Sequence, residues 1–299
     1  MRYRTKVSAG AVVASLALIC TWVGPVCTWV GPAYASEDVD TVSVADVERA
    51  LAGVRAGLVE DAAASSRTDD AVAVLDVGGS TATVPRDASE GVKLAVGDAV
   101  VGISLPAAEG GEAGVSLESG AVAYPSDTGV ANTVVPFSDG VQMLTTIASS
   151  KAPERFAYGI DVPVGGSVML VEDGSAVVAD RDGITVLTTN VPWAVDANGA
   201  AVPTRYEVDG TQLVQVVEHT ARDVAYPVVA DPTYWWGGKT WIPANKVSIS
   251  QTASILYALI PGFVGSVALY NVGLGLCNQA GKGIWVYWTW AGHIWCTGP

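Results

Sequence analysis

Two histidines and four cysteines are all the imidazoles and thiols in this 299-residue chain, so nucleophile–base pairs and soft metal sites have few places to form. Glu218, His219 and Asp223 are the set whose types suit hydrolysis, with the imidazole as base and a carboxylate to orient it. That role requires the three side chains to converge in a cleft. His219 ends an apolar run that reads as a strand, where a packed or solvated imidazole is the plainer expectation. Asp180 and Asp182 before Gly183 have the opening spacing of a calcium loop, but Ile184, Thr185 and Val186 follow where later ligands would stand, so a turn is expected. No Gly-x-Ser-x-Gly, His-Glu-x-x-His or phosphate-loop pattern occurs. The residues therefore predict no catalytic, cofactor-binding or metal-ligating set, and a protein that works by binding.

Composition narrows what it binds. With 16 basic against 30 acidic residues the net charge is -14, and half of the residues are apolar. Disorder and nucleic-acid binding are both excluded by that balance. At the start, Arg2, Arg4 and Lys6 precede a mainly apolar, uncharged stretch from Val7 to Val30, and Ala33-Tyr34-Ala35 has the small-x-small pattern of a processing site. Residues 1–35 are expected to be an export signal cut after Ala35, lengthened by the tandem CTWVGPV and CTWVGPA that begin at Cys20 and Cys27. Export leaves Cys277 and Cys296 with one partner each in an oxidising compartment, so a Cys277–Cys296 disulfide is expected.

The elements that must position these residues follow from periodicity. Residues 36–70 hold an N-terminal helix and a linker: Ser43 and Asp46 have capping-box spacing, Val47, Ala50, Leu51, Val54 and Leu58 follow at helical intervals, and an end near Ala64 is expected. From residue 71 the pattern changes to short apolar runs, with strands expected over 71–75, 99–104, 141–147, 156–160, 167–171, 184–188 and 213–217. Asp-Gly and Asn-Gly pairs separate them, and Asp209-Gly210 between two alternating runs predicts a hairpin. An acidic, mainly β domain over 71–231 is expected, antiparallel and built as a sandwich or two small sheets.

The stretch from Glu154 to Asp231 carries Arg155-Phe156-Ala157-Tyr158, Pro192-Trp193-Ala194-Val195-Asp196-Ala197-Asn198-Gly199, Val202-Pro203-Thr204-Arg205-Tyr206-Glu207-Val208 and, running on into Pro232, Tyr226-Pro227-Val228-Val229-Ala230-Asp231. It resembles a group of secreted actinobacterial proteins of uncharacterised function. The resemblance implies export and a β body followed by a variable apolar tail with two cysteines, and it implies no catalytic residue.

The chain changes character at Asp231-Pro232. Residues 36–231 carry 10 basic and 30 acidic side chains, whereas 232–299 carry Lys239, Lys246 and Lys282, no acid, and seven of the ten tryptophans. A separate C-terminal module is expected, with an apolar helical hairpin followed by a β-hairpin. Residues 255–276 are long and apolar enough to cross a bilayer. Ser254, Ala258, Gly262 and Ser266 would make a ridge of small side chains on one helix face, but Pro261-Gly262 breaks it, so a membrane-active segment and a buried helical pair both stay open. A permanent anchor fits less well, because it would place both cysteines in a reducing compartment. Trp235, Trp236 and Trp241 before this segment, and Trp285, Trp288, Trp290 and Trp295 after it, are the expected contacts to a membrane or ligand. The function expected first is a secreted, non-enzymatic protein whose acidic body carries a membrane-active, bacteriocin-like tail with lipid as partner. The second is an envelope-associated protein whose aromatic patch contacts wall glycan or a protein.

Overall fold

The computed structural model describes residues 41–77, 80–96, 99–108, 111–183, 185–259, 274–289 and 294–298. The expected leader and its cut at Ala35 lie outside them, as do Gly262, Ser266 and Trp290. After helix α1 (Val44–Gly53) come strands β1 (Ala71–Val77), β2 (Ser80–Pro85), β3 (Val92–Val96), β4 (Ala99–Ile103), β5 (Val115–Ser116), β6 (Val122–Tyr124), β7 (Val130–Phe137), β8 (Gly140–Ile147), β9 (Arg155–Asp161) and β10 (Ser167–Leu170). There follow β11 (Ala176–Ala179), β12 (Thr185–Thr189), β13 (Ala194–Val195), β14 (Thr204–Asp209), β15 (Gln212–Val217), β16 (Val228–Ala230) and β17 (Thr233–Pro243). The chain ends with α2 (Ile249–Leu259), a short α3 (Leu274–Cys277), β18 (Gly283–Thr289) and β19 (Ile294–Thr297).

Helix α1 starts where the capping box places it. The Asp46 backbone N–H donates to Ser43 Oγ at 3.3 Å and the Asp46 carboxylate accepts from the Ser43 N–H at 3.1 Å, which satisfies two donors that a helix start leaves open. The helix stops at Gly53 rather than near Ala64, because Val54 turns to extended backbone. The apolar residues beyond it, Val59 and Ala62 among them, still pack on the core without the helix.

All strand pairs are antiparallel. One sheet runs β1-β2-β3-β4-β9-β15-β14. The larger runs β10-β11-β12-β17-β8-β7-β6-β5, with β16 joining β8 to β13 and β18 joining β17 to β19. Both sheets contribute to one core: Leu94, Ile103, Phe156 and Tyr158 from the first, Met143, Leu187, Tyr234 and Trp236 from the second. Strands β7 and β8 are buried on both faces. Their other face, through Ala131, Val135 and Leu144, is covered by Val47 and Ala50 of α1.

Strand β17 decides how the tail sits. Its first residues lie between two strands of the large sheet, with Tyr234 opposite both Thr189 of β12 and Val141 of β8. Its later residues pair with β18, from Gly237 opposite Thr289 to Pro243 opposite Gly283. The boundary expected at Asp231-Pro232 thus falls just before a strand laid inside the large sheet, and Asp38–Pro299 form one compact unit. Gly237 and Gly238 permit the crossing: a Cβ on the first would overlap the Trp288 carbonyl oxygen, and one on the second its indole.

On one face of β17 and β18 a third core gathers Ile242, Ala253, Leu256, Leu274, Ile284, Val286 and Trp288. Cys277 at the end of α3 is bridged to Cys296 on β19 with their Cα atoms 6.0 Å apart and 19 residues of separation. A loop of that size predicts a loss of about 3 kcal/mol when the bridge is removed. Cys277→Ser with Cys296→Ser should lower the thermal midpoint, and amide exchange should localise the weakening to β18 and β19. An unchanged midpoint would remove the bridge from the forces that hold the tail.

Candidate functional site: an aromatic face beside an acidic cleft

Strand alternation divides the tail's aromatic residues between two faces. On β18, Ile284, Val286 and Trp288 turn inward, so Trp285 and Tyr287 turn outward and remain half-buried. On β17, Ile242 turns inward and Trp241 outward; on β19, Cys296 packs inward and Trp295 outward. Strand register then sets the outward side chains in rows, with Trp241 opposite Trp285, and Tyr287 between Lys239 and Trp295. The Trp241 and Trp285 rings meet edge-to-face with centroids 5.4 Å apart. Tyr287 and Trp295 stack at 5.2 Å with their planes 6° apart. Trp241 is 36 % exposed and Trp295 37 %.

Lys239 holds this face to the body. Its side chain is 4 % exposed and ion-paired to Asp173, which precedes β11. Its ammonium donates to Ser175 Oγ at 2.6 Å and lies 5.1 Å from the Trp285 centroid, a cation–π arrangement. Burial pushes the Asp173 carboxyl up, but hydrogen bonds from Lys239 and Ser175 outweigh it and hold the group below its ordinary value.

Of the seven tryptophans expected at a membrane or ligand, Trp241, Trp285 and Trp295 come together here, joined by Tyr287. Three others are core residues in this fold. Trp236, 0 % exposed, faces the joint core of the two sheets; Trp288, 3 %, fills the space over Gly238; Trp235, 5 %, lies by Tyr287 and Trp295 with centroids 6.1 and 6.2 Å away. Their aromatic bulk was legible but the pairing of β17 inside the large sheet was not. Along the expected small-residue ridge, Ser254 is exposed on α2 and donates to the Ser250 carbonyl at 2.9 Å, and Ala258 lies in the same helix.

A cleft of about 340 Å³ opens where Trp295 meets the body. Glu60, Asp61, Asp139, Asn190, Trp235 and Trp295 line it. Gln142 on β8 fixes the first of these, since its side-chain oxygen accepts the Glu60 N–H at 2.9 Å and its amide donates to the Leu58 carbonyl at 2.8 Å. Asp139 stands in the tight turn between β7 and β8, where its carbonyl accepts the Trp236 N–H at 3.1 Å. Burial, with the charges of Asp61 and Asp139, pushes the Glu60 carboxyl above its ordinary value. Sequence reasoning missed this set because Asp139 lies far along the chain from the adjacent Glu60 and Asp61, and no spacing links them.

A larger cavity of about 510 Å³ lies beside α1, but Asp46 there is held by Ser43 and Arg49, and Asp196 by the N–H groups of Asn198, Ala200 and Ala225. The hydrolytic set does not assemble either. His219 is fully buried, its Nδ1 2.9 Å from the Tyr226 hydroxyl and its Nε2 3.0 Å from the Pro153 carbonyl. Glu218 turns to Arg205 at 2.8 Å, so neither ring nitrogen is left to act as base. Asp180 accepts the Asp182 N–H at 2.9 Å and Gly183 has φ of 77°, the geometry of a turn.

No family model, curated protein or solved structure matches the chain. The site is therefore read from its own chemistry.

Proposed function

We propose that this is an exported, envelope-associated binding protein that holds a polysaccharide on the outward face formed by Trp241, Trp285, Tyr287 and Trp295. The observation that carries the reading is the pairing of these rings, in two rows, on strands that leave them accessible. A sugar ring presents C–H bonds of slight positive charge, which suit the negative face of an indole, and its hydroxyls stay solvated at the edges. Paired strands, the last of them tied to α3 by the disulfide, hold the rings in place before a ligand arrives, which lowers the ordering cost of binding. The charged start, apolar stretch and Ala33-Tyr34-Ala35 support export, and a bridged cysteine pair suits an oxidising compartment. In this reading the two sheets are the layers of a sandwich, since both feed one core, and α2 and α3 are the arms of the apolar hairpin. A membrane-active tail draws on the same tryptophans, but three of them are committed to the core, which favours the glycan.

The test is co-sedimentation of the intact protein with purified wall glycan, with anionic liposomes as the second arm. The parent should be retained by the glycan. Trp241→Ala with Trp285→Ala should weaken retention at least tenfold, as loss of a hot-spot pair worth about 2 kcal/mol would. Equal retention of the variant, or partition into liposomes in place of the glycan, would reject the reading.

A further inference from the structure

Residues 232–299 carry Lys239, Lys246 and Lys282 and no acid, and the fold treats the three lysines differently. Lys239 is neutralised by Asp173 with its side chain 4 % exposed. Lys246 and Lys282 are exposed, and neither forms an ion pair among the described residues. Both stand at one end of the aromatic face. The pairing of β17 with β18 reaches Pro243 opposite Gly283. Lys282 is the residue before Gly283, and Lys246 closes the single turn Ala244–Lys246 that follows β17 and lies beside β18. Trp241 is drawn to the same point. Gly283 has φ of 119°, and a Cβ there would come within 2.5 Å of the Trp241 ring, so glycine lets this indole lie over the start of β18. Asn278 fixes the turn that carries Lys282: its carbonyl accepts the Gly281 N–H at 2.9 Å and its side-chain oxygen accepts the Gly283 N–H at 3.0 Å.

These positions give the aromatic face a polarity. The row of Trp241 and Trp285 borders two ammonium groups, whereas Trp295, in the other row, borders the cleft that holds Glu60 and Asp61. Screening limits an exposed charge to about 8 Å at physiological salt, so the two ammonium groups act on what lies against the Trp241 row rather than on the protein as a whole. A sugar ring stacked on Trp241 keeps its substituents at its edge, and an acid group carried there meets Lys282 or Lys246. Resting on the glycan reading above, we infer that this end of the face receives an acid group of the polysaccharide, so that the preferred ligand is an anionic polymer and not a neutral one. The tail has no arginine, which fits an anion met by separate point charges in water and not by a planar fork. Glu60 and Asp61 beside Trp295 disfavour a chain charged on every ring, so acid groups spaced by neutral rings suit the face best.

The experiment measures retention of the full chain on purified wall glycan in three forms: native, with its carboxyl groups converted to neutral amides, and with its phosphodiester-linked polymers hydrolysed away. Native glycan should hold the protein about fivefold more tightly than at least one neutralised form, the size expected of two exposed ion pairs. The treatment that causes the loss identifies the acid as carboxylate or phosphodiester. At about 1 M salt, where screening acts within about 3 Å, the preference should disappear. Lys246→Gln with Lys282→Gln should bind native glycan only as well as the parent binds the neutralised form, to within about twofold. Lys246→Arg with Lys282→Arg should keep the preference, because it requires the charge and not the shape of lysine. Equal retention of the parent by all three forms, a preference that survives in the glutamine variant, or its loss in the arginine variant would overturn the inference and leave the glycan reading standing. If no form retains the protein, both fall.

Discussion

A chain ending at Asp231 is expected not to fold, although the change from acid-rich to acid-free sequence at that point looks like a module boundary. Strand β17, from Thr233 onward, lies between β12 and β8 of the large sheet. Without it the two strands face a gap and expose their pairing edges. Tyr234 and Trp236, both 0 % exposed, leave the joint core together. Truncating one buried aromatic of that size costs about 3–5 kcal/mol, and a whole domain has only about 5–15 kcal/mol to lose. Circular dichroism melts and amide dispersion in a proton–nitrogen spectrum would check this. The shortened chain should show no cooperative transition, whereas a chain ending at Pro243 keeps β17 and should retain the body sheets. A folded, cooperatively melting chain ending at Asp231 would show that the aromatic strand is an addition to the body and not part of its core.

The same strand marks where sequence reasoning reaches its limit. Local signals were readable: Ser43 and Asp46 form the capping box, and Asp209-Gly210 joins β14 to β15 with Asp209 opposite Gln212. The run from Ala71 is β1, and those near 156 and 213 are β9 and β15. The end of α1 was not readable, because Val54, Val59 and Ala62 continue the apolar pattern while packing on the core outside the helix. In β17 the ambiguity is chemical. Indoles suit a headgroup zone, a sugar and a protein core equally well, and what assigns Trp236 to the core is its pairing with Leu187, far back in the chain. Within β18 the alternation of Trp285 and Tyr287 against Val286 and Trp288 could be read locally. The ion pair of Lys239 with Asp173 and the meeting of Glu60, Asp61 and Asp139 at Trp295 depend on sheet topology that no spacing announces.

Asp231→Asn should make the protein more stable at pH 8 and flatten its pH dependence. Asp231 is fully buried where β16 leads into β17. Burial pushes its carboxyl from 3.8 up to about 7, although the Trp193 N–H at 3.0 Å and the Thr233 hydroxyl at 2.9 Å both donate to it and favour the charged form. The negative charge of Glu60 raises it further. The native state thus keeps its proton through a range where the unfolded chain, titrating near 3.8, has lost it. Fewer protons bound in the unfolded state means stability that falls as pH rises. Asp231 therefore contributes full stability below about pH 4, loses it progressively up to about pH 7, and above that leaves a buried carboxylate inside the core. An asparagine amide keeps an oxygen for the Trp193 N–H and never ionises. Below about pH 4 the capping carboxylate Asp46, held down to about 2 by its Ser43 and Arg49 hydrogen bonds, adds a slope of opposite sign, so the comparison belongs between about pH 4 and pH 8. Urea melts across that window should show the two proteins nearly matched at the acid end and the variant ahead at the alkaline end by a few kcal/mol, since each tenfold difference in proton affinity between the folded and unfolded states corresponds to about 1.4 kcal/mol. Parallel curves for the two proteins would mean that Asp231 ionises as readily in the native state as in the unfolded chain, and that the buried hydrogen bonds fully offset its desolvation.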